Sequence, residues 1–118
     1  MNVFALTSDL MFGSQMSAAA RSAGATLATL GSADGLVESL SGEQEGCLVV
    51  LDMTCGAAKK DVAGLVVGIR AAHDSARIVA FGPHVQESLL TAATDAGCDI
   101  VMTRGKFHRE MDQLFAAG

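Results

Sequence analysis

The chain has 118 residues, half of them hydrophobic, and its only aromatic residues of the Phe, Tyr and Trp set are five Phe. That length fits a single domain, residues 1–118, able to bury a real core, and a formal net charge of −5 speaks against a general nucleic-acid binder. The charge is uneven: residues 1–46 hold five acids and one base, residues 47–118 eight acids and seven bases.

Hydrophobic periodicity predicts five strand–helix pairs. The first strand is about Asn2–Thr7, followed by a helix over about Asp9–Ala23 with Ser8 or Asp9 as N-cap and Gly24 as the stop. Met11 and Met16 are expected to pack this helix. A short second strand, about Thr26–Leu30, precedes a helix over about Ala33–Leu40 with Ala33, Leu36, Val37 and Leu40 on one face. The third strand, Cys47–Asp52, is apolar up to its last residue, as in a parallel-sheet strand buried on both faces. A third helix begins near Asp61, with Val62, Leu65, Val66 and Ile69 inward. The fourth strand is Arg77–Gly82. The fourth helix is expected to open at Gly82-Pro83, where proline suits a first turn, with Val85, Leu89, Leu90 and Ala93 inward and Gly97 at its end. The fifth strand is Asp99–Thr103, and the last helix turns Phe107, Met111, Leu114 and Phe115 inward.

Five such pairs on short loops define an α/β fold, a (βα)5 three-layer sandwich with right-handed crossovers around a parallel sheet. The flavodoxin-like order 2-1-3-4-5 places the topological switch between strands one and three. A site is then expected at the carboxyl edge. There the chain brings Thr7, Ser8 and Asp9; Asp52 to Cys55; Gly82 to His84; and Thr103 to Lys106. A carboxylate, a base and several hydroxyls converging on one edge suit an anion, a phosphoryl group or a salt bridge.

Asp52 at the end of the third strand, and Ala96-Gly97-Cys98-Asp99 leading through the fifth strand to a basic residue, resemble the receiver domain of bacterial response regulators over essentially the whole chain. The resemblance implies a CheY-like fold. In that family the strand-three aspartate accepts a phosphoryl group from a histidine kinase. An acidic pair after strand one binds Mg²⁺, and a hydroxyl residue after strand four and a lysine after strand five hold the phosphoryl oxygens.

Asp52 takes the phosphoacceptor place. Thr7 and Ser8 fall where the acidic pair belongs, with Asp9 one residue late. Gly82 replaces the hydroxyl residue, Arg104 the lysine, and Val101 an aromatic switch residue. Mg²⁺ wants several hard oxygen ligands, so Asp9 and Asp52 are metal ligands only if the chain is competent for the ion. Otherwise no cofactor is expected. An arginine can bridge a carboxylate bidentately, so Arg104 is expected beside Asp52 as a standing ion pair. Losing one partner of such a buried pair costs on the order of 3–5 kcal/mol.

These departures point to a degenerate receiver, a pseudo-receiver that docks a protein partner without phosphorylation and is not an enzyme. The resemblance implies a docking surface on the fourth helix, fifth strand and fifth helix. Here that surface presents Gln86, Glu87, Lys106, His108 and Arg109 beside Arg104, and a homodimer through it is a further expectation. One alternative is a phosphorylation-competent single-domain regulator. Another is a small-molecule or phosphate binder on the same fold, although residues 8–14 hold one glycine and no glycine-rich cradle. A STAS-like regulator fits the alternating N-terminal half poorly, and the cobalamin-binding variant lacks its histidine loop motif.

The site-edge residues are therefore Thr7, Ser8, Asp9, Thr54, Gly82, Thr103 and Arg104. Cys47 and Cys98 are expected as small buried residues, and Cys55 in an exposed loop. His73 is expected at a helix end and His84 solvated in a first helical turn. Met1-Asn2-Val3 lacks a positive leader, and no apolar run approaches the ~20 residues that span a bilayer, so the expected place is the cytosol, away from membranes.

Overall fold

The computed structural model describes residues 1–116. Five strands form one parallel sheet: β1 (Asn2–Leu6), β2 (Thr26–Leu30), β3 (Cys47–Asp52), β4 (Arg77–Gly82) and β5 (Ile100–Thr103). Their order is β2-β1-β3-β4-β5, as the sequence pattern predicts. The helices are α1 (Leu10–Ala23), α2 (Ala33–Ser41), α3 (Gly56–Lys59), α4 (Val62–Ala72), α5 (Glu87–Asp95) and α6 (Arg104–Ala116).

The strands' period of two divides the core. Val3 and Ala5 of β1, Leu48 and Val50 of β3, and Val79 and Phe81 of β4 face Phe12 and Met16 of α1 and Phe107, Met111 and Phe115 of α6. Phe81 and Phe107 stack with ring centroids 4.6 Å apart, and Phe12 lies 5.1 Å from Phe81. The alternate residues Phe4, Leu6, Val49, Leu51, Ile78 and Ala80 face α2, α4 and Ala93 of α5. Every residue of β3 is buried, as expected of a central strand covered on both faces.

Local chemistry sets the helix ends. Asp9, Ser32 and Asp61 cap α1, α2 and α4 by accepting the N–H of Phe12, Gly35 and Gly64. Gly24 ends α1 at φ 73°, in the left-handed region that glycine enters without penalty.

The structure differs from the sequence expectations at several points. A one-turn helix, α3, follows β3, because four residues rich in Ala close on the Cys55 carbonyl before Asp61 restarts the chain. The fourth predicted helix starts at Glu87 rather than Pro83. Residues 83–86 instead form a turn in which the Pro83 carbonyl accepts the Gln86 N–H. Val85 therefore lies in that turn and is exposed, and His84 is solvated there rather than in a helix. Met11 is also exposed, since Phe12 and Met16 take the inward positions of α1. Among the described residues, no helix is long and apolar enough to cross a membrane.

Candidate functional site

β3 is the most buried strand, and it delivers Asp52 to the carboxyl edge with only 1% of its surface exposed. Hydroxyls and an amide surround this carboxylate. The Thr7 hydroxyl donates to Oδ2 at 2.7 Å. The Thr54 hydroxyl and N–H donate to Oδ1 at 2.7 and 3.0 Å. Thr7 Oγ1 in turn accepts the Asp9 N–H at 3.1 Å. A relay of hydrogen bonds thus runs from the start of α1 through Thr7, at the end of β1, to Asp52. The Asp52–Thr54 half is a side chain bonding its own backbone two residues on, a habit of aspartate in turns.

Arg104 does not pair with Asp52. Its guanidinium donates to Asp9 Oδ2 at 2.8 Å and lies 4.3 Å from the centroid of the Phe12 ring. The reason is geometric. β5 runs into α6 without a loop, so Arg104 is the first residue of the helix, and α6 packs against α1. The guanidinium reaches the half-exposed N-cap of α1 and a ring that offers its π-face. The expected cost of breaking a buried pair therefore does not apply to Arg104. The hydrogen bond from Arg104, helped by the Phe12 N–H, holds the Asp9 carboxyl below the usual carboxylate range.

Gly82 ends β4 with no side chain to offer. A Cβ there would meet Leu90 Cδ2 at 3.4 Å and Met53 Cβ at 3.6 Å. Thr103 accepts the Lys106 N–H and so caps α6. Ser8 is exposed beside Asp9. Val101, in the place of the aromatic switch residue, is half-buried.

Mg²⁺ binding, which the receiver resemblance implies, needs free carboxylate oxygens near octahedral geometry. Both oxygens of Asp52 are occupied by donors of the chain. Those of Asp9 are occupied by the Phe12 N–H and Arg104. Thr7 and Ser8 add only neutral hydroxyls. Among the described residues, no group of three or more His, Cys, Asp or Glu is placed to hold a metal. This donor set does not fit the ion.

Beside this edge lies a groove of about 560 Å³ between α1, the turn after β4 and the start of α6. Phe12 and Pro83 supply apolar wall, and Arg104, His84, His108 and Arg109 bring nitrogen donors to its rim. The five residues expected on the docking surface, Gln86, Glu87, Lys106, His108 and Arg109, are all exposed. Lys106 reaches Glu110 only at 4.0 Å, on the surface.

Cys55 is buried at 3% exposure, not in an exposed loop as expected, because its side chain joins the core cluster with Met53 and Ala58. Cys47 is buried, and Cys98 is half-buried with its thiol pushed up to about 11, mainly by burial. His73 ends α4 with its ring within 2.7 Å of the Glu45 carbonyl. Arg70, which sequence reasoning passed over, bonds the Ala76 and Gly97 carbonyls and the Asp99 carboxylate.

No protein-family model matches the chain, and no curated protein matches its sequence. Solved structures do match in shape. A CheY-like protein (TadZ) from Pseudomonas aeruginosa superposes with a TM-score of 0.70 at 22% identity, covering 99% of this chain and 91% of its own. The receiver domain of a sensor histidine kinase from Pseudomonas aeruginosa, solved with a magnesium ion in its active-site cleft, gives 0.78 at 13% identity over 98% and 94%. A putative pilus assembly protein (CpaE) from Burkholderia thailandensis gives 0.69 at 16% identity over 100% and 99%. The chain has the CheY-like fold of response-regulator receiver domains.

Proposed function

We propose that the protein is a receiver-like signalling module that acts by docking a protein partner, without phosphorylation of Asp52. The observation that carries this reading is the closed hydrogen-bond cage around Asp52. The carboxylate in the phosphoacceptor position is buried, both its oxygens are bonded to Thr7 and Thr54, and the nearest arginine of the edge is committed to Asp9. Phosphoryl transfer to a carboxylate needs an accessible oxygen and a cation to neutralise developing charge. Neither is offered here. Gly82 also brings no hydroxyl to hold a transferred group.

Output then rests on surface. The groove beside the start of α6 and the exposed Gln86, Glu87, Lys106, His108 and Arg109 form a face with more basic than acidic groups on an otherwise acidic chain, suited to an acidic segment of a protein partner. The description of one structural neighbour as a putative pilus assembly protein agrees with a role inside an assembly.

The test is intact mass after incubation with acetyl phosphate and excess Mg²⁺, beside Asp52→Ala. The expected result is no added phosphoryl group on either protein. One group gained by the wild type and missing from the variant would overturn the reading in favour of a working regulator.

A further inference from the structure

The sheet has two edges, and they are not treated alike. β5 is bordered by charge, with Asp99 just before it and Arg104 just after. β2 lies in a stretch, residues 22–33, with no charged residue and no proline. Soluble proteins normally protect a sheet edge with charge, proline or a bulge, because its free N–H and C=O groups template another strand. β2 carries none of these devices.

The ladder fixes which groups are free. Thr26 donates its N–H to the Met1 carbonyl, and the Leu30 carbonyl accepts from Thr7. The even residues of β2 therefore bond β1, its only strand partner among the described residues. The N–H and C=O of Leu27 and Thr29 point away from the sheet. Thr26, Ala28 and Thr29 are exposed.

The flanks leave room. On one face a groove of about 710 Å³ runs between α1 and β2, lined by small residues such as Gly13, Ser14 and Ala18 and ending at Arg21. A Cβ on Gly13 would meet the Thr29 side chain only at 3.8 Å, an ordinary contact. On the other face, Asp34 and Glu38 of α2 line the groove toward α4 and Lys60, away from the β2 edge.

We propose that this edge pairs with β2 of a second copy of the chain, antiparallel about a two-fold axis through Ala28, to make one continuous sheet. That register places Leu27 opposite the partner copy's Thr29, so the free groups of each exchange N–H···O bonds. Ala28 faces its own copy across the axis as a close, non-hydrogen-bonded pair with nothing larger than a methyl between them. The antiparallel arrangement sets Arg21, at the end of α1, toward the end of the second copy where α1 begins. Among the described residues Arg21 has no carboxylate within 4.0 Å in its own chain. A closed two-fold pair also consumes the edge without growing a fibre.

Ala28→Cys tests the register, since only a strand pair through Ala28 brings its two copies within disulfide reach. Mild oxidation is expected to give a covalent dimer of Ala28→Cys, at least tenfold more than of Thr91→Cys, whose site is exposed on α5. Ala28→Lys sets like charges directly opposite and is expected to shift the wild-type dimer to monomer in sedimentation equilibrium, with an unchanged circular dichroism spectrum. A wild type that stays monomeric at millimolar concentration would overturn the proposal. So would a dimer that Ala28→Lys leaves intact, or equal cross-linking at both cysteines. Equal or greater cross-linking through α5 would point to the helix face instead. None of these readouts depends on the state of Asp52.

Discussion

The two ends of this parallel sheet hold their aspartates in opposite ways. At the carboxyl edge, Asp52 is buried and meets only neutral donors, Thr7 and Thr54. At the amino edge, Asp99 is exposed. It receives the Ile78 N–H at 2.7 Å and the Arg70 guanidinium at 3.1 Å. The cation expected beside Asp52, Arg104, goes instead to the half-exposed Asp9. Taking two charges out of water costs more than their attraction returns unless geometry is excellent. In this fold the ion pairs sit where solvent still reaches them, and the buried carboxylate is served by hydroxyls. The amino edge is a staple between α4, β4 and β5. The carboxyl edge is a closed cage in a position where the same fold can place chemistry.

The largest test of that contrast is to turn the cage back into an acidic cluster. Thr7→Asp removes the hydroxyl donor and sets a second carboxylate beside Asp52. One of two carboxylates sharing a buried site must protonate or repel the other. In EDTA at neutral pH the variant is expected to lose about 3 kcal/mol or more of stability by urea denaturation, because a bond to a charged group is lost and a like charge is added. Millimolar Mg²⁺ is expected to return much of it by binding the folded state alone, and to leave the wild type unmoved. A variant as stable as the wild type without metal would mean that Thr7 does not hold Asp52.

Much of the fold was legible because its signals are local and repeated. The bounds of β2 and β4 follow directly from apolar runs closed by glycine, and the i, i+3, i+4 spacing of Val62, Leu65, Val66 and Ile69 marks the buried face of α4. Alternation and crossover handedness narrow the sheet to the doubly-wound orders, and the flavodoxin-like order 2-1-3-4-5 chosen among them is the one observed. What failed depended on three-dimensional reach. Spacing in sequence placed Arg104 at the right edge, but not which of two aspartates it would choose. That choice is set by α6 packing on α1 and by the open face of Phe12. Cys55 read as exposed because α3 is too short to show periodicity. Pro83 read as a helix start because proline serves first turns and β-turns alike. The Thr54 contact carried a usable signal, since Asp-x-Thr after a strand is a turn in which the aspartate bonds two residues on.

At the amino edge the expected effect is smaller. Arg70→Ala removes bonds to the Ala76 and Gly97 carbonyls and the ion pair to Asp99, all partly solvated. Water replaces much of what is lost, so the cost should be about 1–2 kcal/mol. Hydrogen exchange should show the loss in the β4–β5 region, around Ile78 and Asp99, before the rest of the sheet. A uniform change across all strands would mean that Arg70 supports the whole core and is not a local staple.

Arg104→Ala should have the smallest effect on stability at neutral pH, far below the cost of breaking a buried pair, because both partners are half-exposed to water. Its signature is in the pH dependence. Asp9 titrates below its ordinary value in the folded chain, first through the Arg104 hydrogen bond and then through the Phe12 N–H. A depressed folded-state pKa gives stability that is present above the unfolded value near 4 and lost as pH falls through the folded value. The wild type should therefore exceed Arg104→Ala slightly at pH 7, and the difference should begin to shrink as pH falls below about 4 and vanish once pH is below the folded value of Asp9. Asp99 should behave alike. Burial opposes its ionisation, yet the Ile78 N–H and Arg70 outweigh that and lower its pKa. Asp9→Asn should erase the pH-dependent part of the Arg104 effect and leave any packing on Phe12. If the Arg104→Ala difference instead persisted unchanged at pH 3, the guanidinium would be held mainly by the ring, and the carboxyl edge would owe its closure to the stacking of α1 against α6.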